Sequence, residues 1–458
     1  MTEFLLLSIV LLPVASLYQE WKERSSWYFL NPINSFWLTF AYAGAVQPAL
    51  AKNDWITFYG EETLVATLAM FLVLGIAVHF GYHGHYGSLW ARRLPSLPMP
   101  DPKKVLWCGL ILVGIGLLGY HLVAQSSGGW QKWSSAPRRY TDYTLSGYIY
   151  TMPRVATLGL MILLCYAFAQ EGKLPLKISV AALGVLNTVW QIYTGTREGT
   201  VVMLIIMLGS IYGARRRNPP VVALLGLMAA AFFLFAFIPT YRGQFRNLSL
   251  NLEETPEMVL ERSMAFYEGG EDKPGKATSG PDLWSDFGMA ISVAYYVPTR
   301  LEYDYGQMLL EAVTRPIPRF LWAGKSYPEG EAWDRFHQVS GISDIINAAG
   351  LRSGPSPTMV GKYFYILGWP GLLIGGYLTG ICFRILWEFL QLHSHFVTGV
   401  VLAVATAGLG AMEMIHPLSW SVNFWLPTIG FPFFVMSYLM RQRETPPELV
   451  TSRFSPSH

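Results

Sequence analysis

Long apolar runs broken by short polar joints dominate the chain. A helix needs about 20 mainly apolar residues to cross the hydrocarbon of a bilayer. Runs of that kind are read over 3–19, 34–51, 62–82, 105–125, 154–171, 176–194, 198–213, 220–240, 364–388, 396–414 and 420–440, which predicts about eleven spans. The first run, Phe4 to Tyr18, has no basic segment before it and is followed by Lys22 and Arg24. That order predicts a first spanning helix and not a cleavable leader.

The pattern changes between the eighth and ninth runs. Residues 241–363 form one loop far longer than an ordinary connection. Loops beyond about 15 residues are usually functional or disordered. This one carries Trp284, Phe287, Tyr295, Tyr296, Tyr303, Tyr305, Phe320, Trp322, Trp333 and Phe336, a supply of core area that disordered tracts lack. Residues Met289 to Val313 predict helix with a break at Pro298. The expected organisation is therefore spans over 1–240, a partly helical loop over 241–363, further spans over 364–440, and a polar tail over 441–458.

Composition agrees with a membrane protein. Hydrophobic residues make up 52% and charged residues 14% of the 458 positions, against about 25% charged in a soluble domain. The net charge of +3 is too small, and too dispersed, for a nucleic-acid partner. Cys108, Cys165 and Cys382 all sit in apolar runs and are read as small hydrophobes. Basic residues give direction, because they collect in cytoplasmic loops. Lys22 and Arg24, Arg92, Arg93, Lys103 and Lys104, Lys173 and Lys177, Arg215 to Arg217, and Arg441 and Arg443 follow the odd-numbered spans. The expectation is an outside N-terminus, a cytoplasmic C-terminus, and a long loop on the far side from the cytoplasm.

Five segments could carry chemistry. Thr194-Gly195-Thr196-Arg197-Glu198-Gly199 joins two spans and opens a helix. A helix N-terminus beside an arginine suits a diphosphate; an interfacial turn in which Arg197 pairs with Glu198 or lipid phosphate would use the same residues. Arg242 and Arg246, four apart, share a face of any continuing helix. They could clamp a diphosphate or snorkel to headgroups. Arg315-Pro316-Ile317-Pro318-Arg319-Phe320-Leu321-Trp322-Ala323-Gly324-Lys325 projects cations from an extended backbone, or serves as a structural elbow. Ser353 to Thr358 leads into a helix at Lys362, as a ligand contact or a simple cap. Glu413 and His416 stand at the mouth of two late spans, where either could be a general base or a satisfied interfacial group. Asp286, Glu302, Asp304 and His337 are rival bases within the long loop.

Absences narrow the chemistry. The sequence has no Asp-x-Asp pair, no Gly-x-x-x-x-Gly-Lys-Ser/Thr run and no His-Glu-x-x-His spacing. No metal and no cofactor are expected.

Taken together, the layout of spans around one long loop, Gly195-Thr196-Arg197-Glu198-Gly199, Ile317 to Lys325, and Ser356-Pro357-Thr358 leading to Gly361, Tyr365 and Gly368-Trp369-Pro370-Gly371 resemble the bacterial oligosaccharide repeat-unit polymerases, the Wzy-type O-antigen polymerase family. Ala323 follows Trp322 where that pattern would carry a proline. The resemblance covers roughly residues 185–385. It implies a GT-C-like, all-α polytopic glycosyltransferase of the bacterial inner membrane, acting at the periplasmic face without metal. Its substrates would be undecaprenyl-diphosphate-linked oligosaccharides, with a chain-length regulator and a flippase as partners. Arg197, Arg242, Arg246, Arg319 and Lys325 would hold the diphosphate; Glu413, His416 or Asp286 would serve catalysis; Trp322, Tyr327 and Tyr305 would stack on sugars. A ligase-like glycan transferase and a lipid-linked oligosaccharide transporter are the alternatives.

Overall fold

The computed structural model describes residues 1–23, 28–126, 128–130, 147–170, 172–193, 197–220, 222–226, 229, 285–314, 317, 321, 322, 324, 328–340, 342, 358–393, 397–416 and 421–441. Among them the chain is helical, with a single bridge between Pro100 and Arg441 and no strand. Among the described residues six helical segments are long and apolar enough to cross a membrane: Thr2–Glu20, Glu61–His83, Pro102–Ser126, Met152–Ala169, Trp369–Leu392 and Val397–Ile415. Shorter apolar helices run over Leu174–Val189, Met203–Ala214 and Thr428–Leu439. The protein is an all-α membrane protein. Most of the run read over 220–240 lies outside the described residues.

The first helix, α1, spans Thr2–Glu23. Asn31 caps α2 (Pro32–Ala41), accepting from the Ile33 amide at 3.2 Å, and Pro32 supplies the preset φ of a first helical residue. A π turn over Tyr42–Val46 carries the chain into Gln47–Leu50. Then come α3 (Lys52–Tyr59) and α4 (Glu61–His83), separated by Gly60 at φ 86, a left-handed position that glycine tolerates. Next are α5 (His85–Ala91), α6 (Pro102–Ser126), α7 (Gly147–Ala169), α8 (Leu174–Tyr193) and α9 (Arg197–Ala214).

The long-loop region supplies α10 (Asp286–Tyr296), α11 (Gln307–Thr314) and α12 (Pro328–Val339). The Met289 to Val313 stretch is thus two helices. The first ends before Pro298, as the steric bias on residues preceding proline favours. After α13 (Met359–Leu367), Gly368 turns at φ 66 and α14 (Trp369–Leu392) begins, followed by α15 (Val397–Ala407), α16 (Leu409–Ile415) and α17 (Phe431–Leu439). The run expected over 364–388 is therefore split: the spanning helix starts at Trp369, and α13 is a separate, almost wholly buried helix of about two and a half turns packed against it.

Lipid is as apolar as leucine, so helices in a bilayer associate through close packing of small residues. That is how α4 meets α14. A methyl group on Gly380 would strike the backbone of Val78 and Tyr82, and one on Gly376 would lie 3.0 Å from the Leu74 carbonyl. The pairing order, Leu74 with Gly376 and Val78 with Gly380, makes the two helices parallel. Gly75 packs on Leu12, and Ser16 Oγ lies 3.1 Å from His83 Nε2, so α1 runs the same way. Helices α6 and α7 form an antiparallel pair, with Gly109 against Leu163 and Gly116 against Ala156.

At the far end of the parallel trio, charged groups close on one another. Asn31 Nδ2 donates to Glu20 Oε2 at 3.1 Å and to Tyr82 Oη at 2.6 Å. Arg384 bridges Glu20 (3.4 Å) and Glu388 (2.6 Å) and lies over the Tyr82 ring. Ser88 Oγ donates to Glu388 at 3.1 Å.

Candidate functional site

The near end, where α4 and α14 begin, is built differently. Ser285 caps α10, accepting from the Gly288 amide at 2.9 Å. Residues Phe287 to Val293 of that helix are all buried. Gln47 Oε1 accepts from the Phe287 amide at 2.9 Å, and Tyr59 and Ser292 share a buried hydrogen bond of 2.6 Å. These contacts lock α10 against the Gln47–Leu50 helix and α3, so the loop that follows it leaves from a fixed point.

That loop, residues 297–306, is pinned at its other side to α13. The Asp304 amide donates to the Tyr365 carbonyl and the Tyr305 amide to the Ile366 carbonyl, both at 3.0 Å. Tyr303 packs on Phe364 at 6.0 Å and against Gly368, where a methyl group would lie 3.0 Å from the tyrosine hydroxyl. Tyr305 at φ 51 and Gly306 at φ 92 then turn the chain into α11. Asp304 Oδ2 accepts from the Met308 amide at 2.7 Å, satisfying one of the free donors at the start of that helix.

The result is a cavity of about 300 Å³ walled by residues 300–305, Gln307, Arg335 and Tyr365. Its aromatic wall is supported from behind, with Trp333 edge-on to Tyr365 at 5.4 Å and Phe336 edge-on to Tyr296 at 6.2 Å. Arg300 lies over the rings of Tyr295 (5.7 Å) and Tyr296 (5.3 Å), which fixes its guanidinium. Asp304 is only 8% exposed. Burial pushes its carboxyl above the usual aspartate range, while the Met308 amide and the charges of Arg335 and Lys362 pull the other way. Lys362 itself is buried on α13. A concave wall of tyrosines with a few fixed cations, carboxylates and an amide suits a polar ligand with flat apolar faces and many hydroxyls.

Of the residues singled out from sequence, Tyr305, Glu302 and Asp304 meet in this wall. Trp322 is described and 45% exposed, outside the wall. Asp286 opens α10, and its neighbour Phe287 is the residue tied to Gln47. Glu413 is buried on α16 and acts electrostatically on Tyr363, which packs on Gly375 and shares a 3.1 Å hydrogen bond with Thr379. His416 caps the same short helix. The backbone of Arg197 opens α9; its side chain, and Arg242, Arg246, Arg319, Lys325 and Tyr327 entirely, lie outside the described residues. Arg300, Gln307 and Arg335 were missed. Arg335 sits on a strongly amphipathic helix, and only its position opposite Tyr365 marks it. Among the described residues no three His, Cys, Asp or Glu side chains gather as metal ligands would.

A family described only as a domain of unknown function (DUF8712) matches residues 142–416. The chain belongs to this family. The DUF8712 stretch takes in the entire cavity wall, Arg197, and the Glu413 and His416 pair. It leaves out α1 to α6, and with them Glu20, Asn31 and Tyr82 of the closed polar end. No curated protein and no solved structure matches the chain.

Proposed function

We propose that the protein is a membrane glycosyltransferase that polymerises undecaprenyl-diphosphate-linked oligosaccharide repeat units into a surface polysaccharide. The observation that carries this reading is the tyrosine-walled cavity with fixed arginines and carboxylates at the end of a spanning bundle. Sugar rings present apolar faces to aromatic side chains and hydroxyls to charged ones. The resemblance of Gly195 to Gly199 and of Ile317 to Lys325 to repeat-unit polymerases adds the donor chemistry.

In this reading the chain has about eleven spans in a GT-C-like arrangement within the bacterial inner membrane. The cavity faces the periplasm and the C-terminus the cytoplasm. Support comes from Arg92 and Arg93, which follow the ends of α4 and α5 opposite to the cavity. The donor's glycosyl–diphosphate bond stores the energy, so no nucleotide is consumed. Arg197, Arg242, Arg246, Arg319 and Lys325 meet the charge that develops on the leaving diphosphate. Loss of one such preorganised donor costs on the order of 3–4 kcal/mol in well-studied enzymes. The cavity holds the acceptor glycan, with Tyr305 stacking on a ring and Arg300 and Arg335 holding hydroxyls.

Purified protein given lipid-linked repeat units and no other acceptor should make a ladder of polymer. Arg335→Ala, on the cavity wall but away from the helix contacts, should lower polymer formation at least tenfold at normal expression. Absence of polymer with the wild-type chain would sink the reading, and transfer only to an added second acceptor would replace it with ligase chemistry.

A further inference from the structure

We infer that Asp304 is the general base that accepts the proton of the attacking acceptor hydroxyl, an assignment that rests on the glycosyltransferase reading above. The argument is one of position. A base must touch the ligand, so it must stand in the cavity wall. It must also be held still, because transfer needs the reacting atoms within hydrogen-bond reach.

Of the carboxylates and histidines singled out from sequence, only Glu302 and Asp304 line the cavity. Glu302 is exposed to solvent. Asp304 is buried and is held on both sides. Its backbone amide is tied to Tyr365 of α13, and its Oδ2 to the Met308 amide of α11. That second bond engages Oδ2, the Gln307 amide also acts on the carboxyl, and the assignment takes Oδ1 as the atom that meets the acceptor. The charged and titratable groups around it are Arg300 and Glu302 on its own loop, Arg335 on α12, and Lys362 and Tyr365 on α13. Burial shifts its proton affinity upward, the direction that favours a base, and Arg335 and Lys362 act against that shift.

The step balances as a displacement. The acceptor oxygen bonds to the anomeric carbon of the donor while the bond from that carbon to the diphosphate oxygen breaks. The proton of the acceptor hydroxyl passes to Asp304 Oδ1. Undecaprenyl diphosphate leaves with the bonding electron pair. No oxidant, reductant or second cofactor enters.

Asparagine separates this role from a purely structural one. The amide oxygen of Asp304→Asn still accepts from Met308, so the start of α11 stays capped, but the side chain no longer takes a proton. The test uses full-length protein in membranes with lipid-linked repeat units extracted from a strain lacking the gene. D304N, present in wild-type amount and with an unfolding midpoint no lower than that of wild type, should polymerise at least about 100-fold more slowly, the lower bound of what a positioned base contributes. Its residual rate should no longer rise with pH as the wild-type rate does. If D304N is poorly made, Asp304→Ser, whose hydroxyl can also cap the helix, takes its place with the same expected loss. D304N or Asp304→Ser polymerising within about threefold of wild type overturns the assignment while leaving the glycosyltransferase reading standing. Wild-type protein that makes no polymer overturns both.

Discussion

At one end of the α1, α4 and α14 bundle, Arg384, Glu20, Glu388 and Tyr82 close on one another. At the other end Arg300, Arg335, Glu302, Asp304 and three tyrosines surround open space. The side-chain types are the same, and their arrangement separates them. In the closed network the cation bridges two carboxylates, and Asn31 and Ser88 complete the set. Such a network spends its hydrogen-bonding capacity internally and holds helices in register. In the open cavity Arg300 rests on aromatic rings and Asp304 on a backbone amide, so the polar atoms facing the space remain available to a ligand. An arginine in a membrane protein is thus a fastener or a binding group according to what already surrounds it.

The largest expected effect falls on the closed end. Arg384→Met removes the cation between two carboxylates, one of them, Glu20, only 3% exposed. Breaking a buried pair by deleting one partner costs about 3–5 kcal/mol. The variant should lose most of its folded yield and unfold at a clearly lower temperature in detergent. An unchanged midpoint would mean that the network does not fasten the bundle.

A smaller effect is expected where the cavity is anchored. Tyr59→Phe removes the hydrogen bond to Ser292, whose hydroxyl also donates to the Gly288 carbonyl at 2.7 Å and so remains satisfied. The loss should be about 1 kcal/mol, the usual net value of one intramolecular hydrogen bond. Chemical denaturation of the pair of proteins measures it. A loss as large as that of Arg384→Met would erase the distinction between the two ends.

The smallest effect is a change of slope. Asp304 in the folded protein holds its proton more tightly than in the unfolded chain, because burial raises its carboxyl. Its stabilising contribution is therefore complete below the unfolded carboxylate range and declines as pH rises through the raised value. Midpoints of wild type and Asp304→Asn, followed from acid to neutral pH, should diverge in that direction, with the wild type falling relative to the variant. Parallel profiles would show that Asp304 carries no such coupling, and that the open end is as neutral to proton uptake as a solvated surface.

The elements followed most closely from sequence are those with one-dimensional causes. An apolar run such as 62–82 has only one way to satisfy its backbone in lipid, so α4 appears almost where it was read. The run over 364–388 misled because hydrophobicity continues across Gly368-Trp369-Pro370 while the backbone does not. Glycine at φ 66 followed by proline at the second helical position ends one helix and starts another. Asp304 and Tyr305 stood out as polar and aromatic residues in a long loop, and both reach the cavity. Arg335 carried no comparable signal. A charged residue on the amphipathic α12 looks the same in sequence whether it faces water or a ligand.

Hydropathy by itself determined that this is a helical membrane protein and where its long apolar helices lie, since an unpaired backbone group in hydrocarbon is costly at every residue along the chain. Which of its arginines and carboxylates are consumed by one another, and which stand around a cavity, was decided only when α10, α12 and α13 came together. That choice depends on neighbours distant in sequence, and the electrostatic meaning of a charge is set by those neighbours and not by its own identity.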